Sequence, residues 1–113
     1  MEANVLTEKI CGILKDRKGE NVVAINVGEK SSVADYFVIA SGRSTTHTRS
    51  LVERVEEELE KEGVSPKREE GVKEGRWAVI DYGDVIVHVF NDETRLLYHL
   101  ENLWGDDGNV KKY

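Results

Sequence analysis

The sequence predicts a single α/β domain in which helices cover a β-sheet, and three features carry that prediction. Two β-branched runs, Trp77 to Tyr82 and Val85 to Phe90, flank Gly83-Asp84 and read as a hairpin. Asn21 to Val27 and Tyr36 to Ser41 are apolar almost throughout, which suits strands covered by helices on both faces. Finally, apolar residues recur at helical spacing ahead of a glycine in three places, before, between and after the strands. The predicted order is α-β-β-α-(β)-β-β-α, with the bracketed strand short.

Each element follows from its residues. Over 3 to 18, Val5, Leu6, Ile10, Ile13 and Leu14 form one stripe, Glu2, Lys9, Lys15 and Arg17 lie off it, and Gly19 closes the helix as its C′ residue. The connection from Glu29 to Asp35 is polar but has Val33 and Ala34 to bury. After the strand ending at Ser41, Gly42 to His47 leads into a helix reaching about Glu62, with Val52, Val55 and Leu59 inward, and Gly63 stops it. Gly63 to Gly75 is rich in charge and breakers, with one short edge strand around Pro66 to Glu69, where proline is tolerated.

In the hairpin, a two-residue loop at Gly83-Asp84 pairs Tyr82 with Val85, Ile80 with Val87 and Ala78 with Val89 on the core side. Asp81 with Ile86, Val79 with His88, and Trp77 with Phe90 then share the other side, a mixed face suited to a partner or a covering helix. A three-residue loop would mix the two sets. Asn91 or Asp92 caps the last helix, whose stripe is Leu96, Leu97, Leu100, Leu103 and Trp104, and Gly105 ends it. Residues 1–105 thus form the domain, and 106–113 read as a flexible tail with little to bury.

Composition narrows the function classes. The 113-residue chain has room for one domain, which should bury roughly 65% of its unfolded surface. A net charge of −6 argues against holding nucleic acid by phosphate neutralisation and permits a basic protein partner. The sequence has neither a run of about 18 apolar residues nor a leader pattern, so a cytoplasmic protein without membrane contact is expected. The single cysteine, Cys11, lies on the apolar side of the first helix and reads as a packed thiol.

Candidates for chemistry are few. Asp81, Asp84 and His88 cluster at the hairpin and raise a metal site or an acid/base pair, but Asp81 and His88 are diagonal to one another and Asp84 is an ordinary turn residue. His47 and His99 stand apart, with no metal-ligand or nucleophile motif around them. No catalytic centre, metal or cofactor is therefore expected. The loop Ser41 to His47 could offer N–H groups to an anion, yet capping by Ser44 or Thr45 explains its hydroxyls. Trp77 is the aromatic best suited to contact, since it opens a strand directly after a charged loop.

Four separated motifs resemble the ribosomal silencing factors, the Iojap-like family: Lys30-Ser-Ser-Val-Ala-Asp-Tyr-Phe-Val-Ile-Ala-Ser-Gly-Arg-Ser-Thr-Thr-His47, Glu70-Gly71, Trp77 to Phe90, and Arg95-Leu-Leu-Tyr-His-Leu-Glu-Asn-Leu-Trp104. The resemblance runs from the first helix to Trp104 and leaves the tail after Gly105 outside. It implies a mixed β-sheet flanked by helices, similar to nucleotidyltransferases, and a non-enzymatic factor. Such a factor binds the large ribosomal subunit through its ribosomal protein fourteen and sterically blocks joining of the small subunit. Translation then falls when nutrients are short, and members also bear on large-subunit assembly and tend to form homodimers when free.

Joined to the reading of the hairpin, this places the partner-binding surface at Trp77, Asp81, Tyr82, Asp84, His88, Arg95 and Tyr98. Trp77 and Tyr98 would be desolvated anchors, and Asp81 and Asp84 would pair with basic groups. His88 could equally hydrogen-bond inside the fold, and Arg95 could equally tie the last helix to the sheet. Two alternatives stand beside this reading. One is a metal-dependent nucleotidyltransferase or nucleotide binder using the Ser41–His47 loop, although no Asp-x-Asp follows on the next strand. The other is RNA binding through Arg43, His47, Arg49, Lys67 and Arg68, weakened by the acidic balance.

Overall fold

The periodicity of the first segment makes a helix, and packing decides which side of it is covered. The structure, a computed structural model, describes residues 1–91, 95, 105 and 108–113. Helix α1 spans Ala3–Asp16 and buries Leu6, Thr7, Ile10, Cys11 and Leu14. Val5, expected on the inward stripe, is instead 50% exposed, because it lies about 100° round the axis from Leu6, on the flank of the buried arc. The helix also ends differently. Lys18, not Gly19, takes the left-handed position, with φ 64°. Its N–H donates to Lys15 O at 3.0 Å while Gly19 N–H donates to Leu14 O at 2.7 Å, a Schellman closure. Gly19 serves the close approach: a Cβ there would lie 2.9 Å from that same carbonyl oxygen.

The remaining described elements are β1 (Glu20–Asn26), β2 (Tyr36–Gly42), α2 (Thr45–Glu60), β3 (Arg68–Glu70), β4 (Trp77–Asp81), β5 (Val85–Asn91) and β6 (Val110–Lys112). They build a six-stranded sheet in the order β3-β4-β5-β2-β1-β6. Strands β2 and β5 run parallel and all other neighbours antiparallel, so the sheet is mixed, as the resemblance implied. Helix α2 lies in the long connection between the parallel pair, which no hairpin could join.

Strand alternation sorts the core into two layers. Val22, Ala24, Val38, Ala40, Ala78, Ile80, Tyr82, Val85, Val87 and Val89 pack with α1 and with Leu51, Val52, Val55 and Leu59 of α2. On the opposite face, Val23, Ile25, Val27, Ala34, Phe37, Ile39 and Phe90 form a second buried cluster, joined by half-buried Trp77, Ile86 and Val110. Both faces of β1 and β2 are therefore out of water, which is why their sequences are continuously apolar. Each fully buried Ile, Leu or Val contributes about 1.5–3 kcal/mol relative to exposure. In the β1–β2 connection Ala34 is buried but Val33, expected to help it, is 68% exposed.

The hairpin has the predicted pairing: Ala78 opposite Val89, Ile80 opposite Val87, Asp81 opposite Ile86, Val79 opposite His88 and Trp77 opposite Phe90. Tyr82 N–H donates to Val85 O at 2.9 Å across the two-residue loop, and Gly83 supplies the positive φ of 94°. The tail expectation is overturned at residues 110–112. They form β6, whose ladder with β1 sets Val23, Ala24 and Ile25 against Lys112, Lys111 and Val110. Lys111 Nζ and Tyr113 Oη each reach Glu8 Oε1 at 2.7 Å, tying this end of the chain to α1. The predicted last helix, with Tyr98 and Trp104, lies outside the described residues apart from Arg95. Among the described residues no helix is long and apolar enough to cross a membrane.

A carboxyl pair meets at the edge of the helix-facing layer. Glu69 pairs with Ile80 in the β3–β4 ladder, so it shares the face of Ile80 and Tyr82 and meets Glu56 of α2. Burial, a hydrogen bond with Glu69 and the charges of Glu69 and Glu53 push the Glu56 carboxyl from 4.5 up to about 7. The folded state therefore keeps a proton that the unfolded chain releases, and this contribution to stability is lost as pH rises from about 4.5 through about 7. With solvent screening the loss is about 1 kcal/mol. Glu56→Gln should melt close to the parent at pH 5 and about 3–5 °C above it at pH 8. Thermal melts of the two proteins across that range check this, and a pH-independent difference would contradict it.

Candidate functional site

Strand pairing brings aromatic and polar side chains together on the face of the sheet away from α1 and α2. Trp77, the first residue of β4, stacks on Phe90 directly opposite, with ring centroids 5.2 Å apart and planes at 22°. Its Nε1–H donates to His88 Nδ1 at 3.1 Å. His88 is 8% exposed, and Phe37 of β2 meets it edge-on at 5.2 Å. Burial holds its imidazole down to about 4, so it is neutral near pH 7. Accepting at Nδ1 fixes the tautomer with the proton on Nε2. That Nε2 is buried without a hydrogen-bond partner among the described residues.

At the turn, Asp81 Oδ1 accepts the Gly83 N–H at 2.8 Å, and its Oδ2 lies 3.4 Å from Arg68 Nε on the edge strand. Asp81 thus braces the turn and holds β3 to β4. Asp84 is exposed at the tip, while its carbonyl oxygen accepts from Asp35 N at 2.8 Å and Tyr36 N at 3.1 Å. The tip is therefore anchored to the start of β2 and is not a loose loop.

The seven residues expected at one surface do not all meet there. Trp77, Asp81 and His88 share the face, and Asp84 stands at its end. Tyr82 is on the opposite side, 9% exposed in the helix-facing core, because one step along a strand reverses the side chain. Arg95 is also 9% exposed, and its guanidinium donates to Asn21 O at 2.8 Å and Ser41 Oγ at 3.0 Å. These two side chains support the fold from within, so they are corrected from contact to structural positions. Tyr98 lies outside the described residues. Sequence reasoning missed Phe37, which reaches His88 through the parallel β2–β5 pairing, and no local pattern reports that pairing.

The Ser41–His47 loop is used internally. Ser44 caps α2 by accepting the His47 N–H at 3.0 Å. His47 Nδ1 accepts the Arg43 N–H at 2.9 Å, so its Nε2 donates to Arg17 O, 3.0 Å away. Two of the N–H groups that could face an anion, those of Arg43 and His47, are thereby engaged. Three of the arginines considered for RNA are also engaged: Arg43 with Glu20, Arg49 with Lys73 O, and Arg68 with Asp81. Among the described residues no group of three or more His, Cys, Asp or Glu side chains is arranged to hold a metal ion.

Comparison with known proteins places this architecture. Residues 1–112 match the family model described as "Ribosomal silencing factor during starvation". The matched span continues beyond Gly105 and takes in β6, which the resemblance read from the sequence had left outside. The chain is 37% identical over 111 residues to a protein named ribosomal silencing factor RsfS from Halalkalibacterium halodurans, covering 98% of this chain and 95% of the relative. It is 29% identical to mouse "Mitochondrial assembly of ribosomal large subunit protein 1", covering 86% of this chain and 44% of that one. A crystal structure of a Chromobacterium violaceum protein superposes with a TM-score of 0.90 at 30% identity, covering 95% of this chain and 89% of that chain. On sequence and architecture alike, the chain belongs to the ribosomal silencing factor family, RsfS.

Proposed function

We propose that this protein lowers translation under nutrient limitation by binding the large ribosomal subunit through its ribosomal protein fourteen and physically obstructing the small subunit. The observation that supports this reading most is the half-buried Trp77, stacked on Phe90 and bonded to His88 beside an acidic turn. An aromatic held in one orientation loses little entropy on docking, and such groups are frequent hot spots. Asp84 at the tip and the net charge of −6 suit a basic partner. Family membership and the name of the mouse relative support a connection with the ribosome and with large-subunit assembly. In solution the free cytoplasmic protein is a homodimer in this proposal, and a shared surface would make dimerisation and docking compete.

The experiment is sedimentation with isolated large subunits, followed by addition of small subunits, with light scattering on the free protein. The parent should co-sediment and suppress joining. Trp77→Ala, folded by circular dichroism, should bind roughly 30-fold more weakly, corresponding to about 2 kcal/mol at a central anchor. Unchanged binding by that variant would remove Trp77 from the site, and normal subunit joining in the presence of the parent would refute the function.

A further inference from the structure

The indole of Trp77 has one hydrogen-bonding group, and it is spent inside the molecule. Nε1–H donates to His88 Nδ1 at 3.1 Å, while one face of the ring stacks on Phe90. Tryptophan at a surface ordinarily keeps its N–H for water or for a partner. Here that group is already engaged within the fold. His88 is itself held firmly, with Phe37 edge-on at 5.2 Å and the Phe90 ring nearly parallel at 6.4 Å and 12°. Neither contact requires a charge on the imidazole.

We propose that His88 is the positioning residue of the docking surface. As a neutral acceptor it takes the indole N–H and holds Trp77 in one rotamer as an apolar anchor before any partner arrives. This rests on the reading that Trp77 meets the ribosome. It adds a statement about the partner: the surface receiving Trp77 is hydrocarbon, such as aliphatic side chains or the stem of a lysine or arginine, and presents no acceptor aimed at the indole N–H. Preorganisation of this kind removes an ordering cost from association and adds no contact of its own. Burial in the aromatic cluster keeps the imidazole unprotonated from mildly acidic to alkaline pH, so the acceptor is present throughout that range.

Two amide substitutions separate positioning from mere polarity. Asparagine places its Oδ1 near the position of Nδ1, whereas glutamine carries its amide further out, near the position of Nε2. Both are polar and of similar size, so a general structural role is served about equally by either. The free proteins are compared by the NMR resonance and hydrogen exchange of the Trp77 indole N–H, assigned with Trp77→Phe, and by affinity for large subunits. His88→Asn should retain slow indole exchange and bind within about threefold of the parent, while His88→Gln should exchange faster and bind roughly tenfold more weakly. Equal exchange in both variants and the parent would overturn the hydrogen bond as the positioning device. Faster exchange in His88→Gln with parental affinity would overturn positioning while leaving Trp77 as an anchor. Parental affinity in Trp77→Ala would remove the docking reading itself, and positioning with it, whatever the exchange shows.

Discussion

Gly71→Ala is expected to destabilise the protein by about 3 kcal/mol, lowering its melting temperature by roughly 10 °C or more. Gly71 follows β3 with φ 73°, where an L side chain is already strained. A Cβ there would also lie 2.1 Å from the carbonyl oxygen of Trp77 and 3.1 Å from its carbonyl carbon. Both are backbone atoms at the start of β4, so no side chain can swing away to relieve the overlap, and the β3–β4 connection must move. Gly63 provides the control. It has φ 76°, yet a Cβ there would meet nothing within 4 Å. Gly63→Ala should therefore carry only the conformational cost, about 1 kcal/mol. Thermal melts of both variants separate the two causes. A Gly71 variant no less stable than the Gly63 variant would show that the close approach to Trp77 carries no weight. Because the displaced atoms belong to Trp77, the Gly71 variant should also bind large subunits more weakly under conditions where it is folded.

The features legible in the sequence are those set by neighbours along the chain. The hairpin register follows from a two-residue turn and strand alternation, and α2 from a capped apolar stripe, so local chemistry suffices for both. What escaped reading depends on distant pairings. Val110–Lys112 carries no strand pattern, and it becomes a strand because β1 offers an edge and Glu8 receives Lys111 and Tyr113. Phe37 lies beside His88 only because β2 runs parallel to β5, a pairing made across α2. Nearness in sequence to the turn and the last helix suggests a contact role for Tyr82 and Arg95. Strand parity buries the first, and bonds to Asn21 and Ser41 occupy the second. At the candidate site, then, the side chains visible to sequence reasoning are Trp77, Asp81, Asp84 and His88. The network that fixes them required the fold.

Phe90→Ala should remove about 3–5 kcal/mol of stability, the usual cost of truncating a buried phenylalanine, and should weaken ribosome binding as well. Phe90 is 1% exposed and forms the surface on which Trp77 stacks. Its loss leaves a cavity in the layer containing Phe37, Ile39 and Val23 and removes the ring on which the indole stacks. Stability alone cannot account for a binding defect if a second cavity of similar cost is placed on the other side of the sheet. Ile10, 0% exposed on α1, is suited to that purpose, since Ile10→Ala should cost about 2–5 kcal/mol. A domain with about 5–15 kcal/mol to spare tolerates either change at low temperature. At about 10 °C, with both variants folded by circular dichroism, Phe90→Ala should sediment poorly with large subunits while Ile10→Ala binds as the parent does. If both bind alike, the orientation of Trp77 does not depend on its aromatic support. If both fail alike, global softening and not the hairpin face controls docking, because the two cavities share the sheet but only one of them underlies the indole.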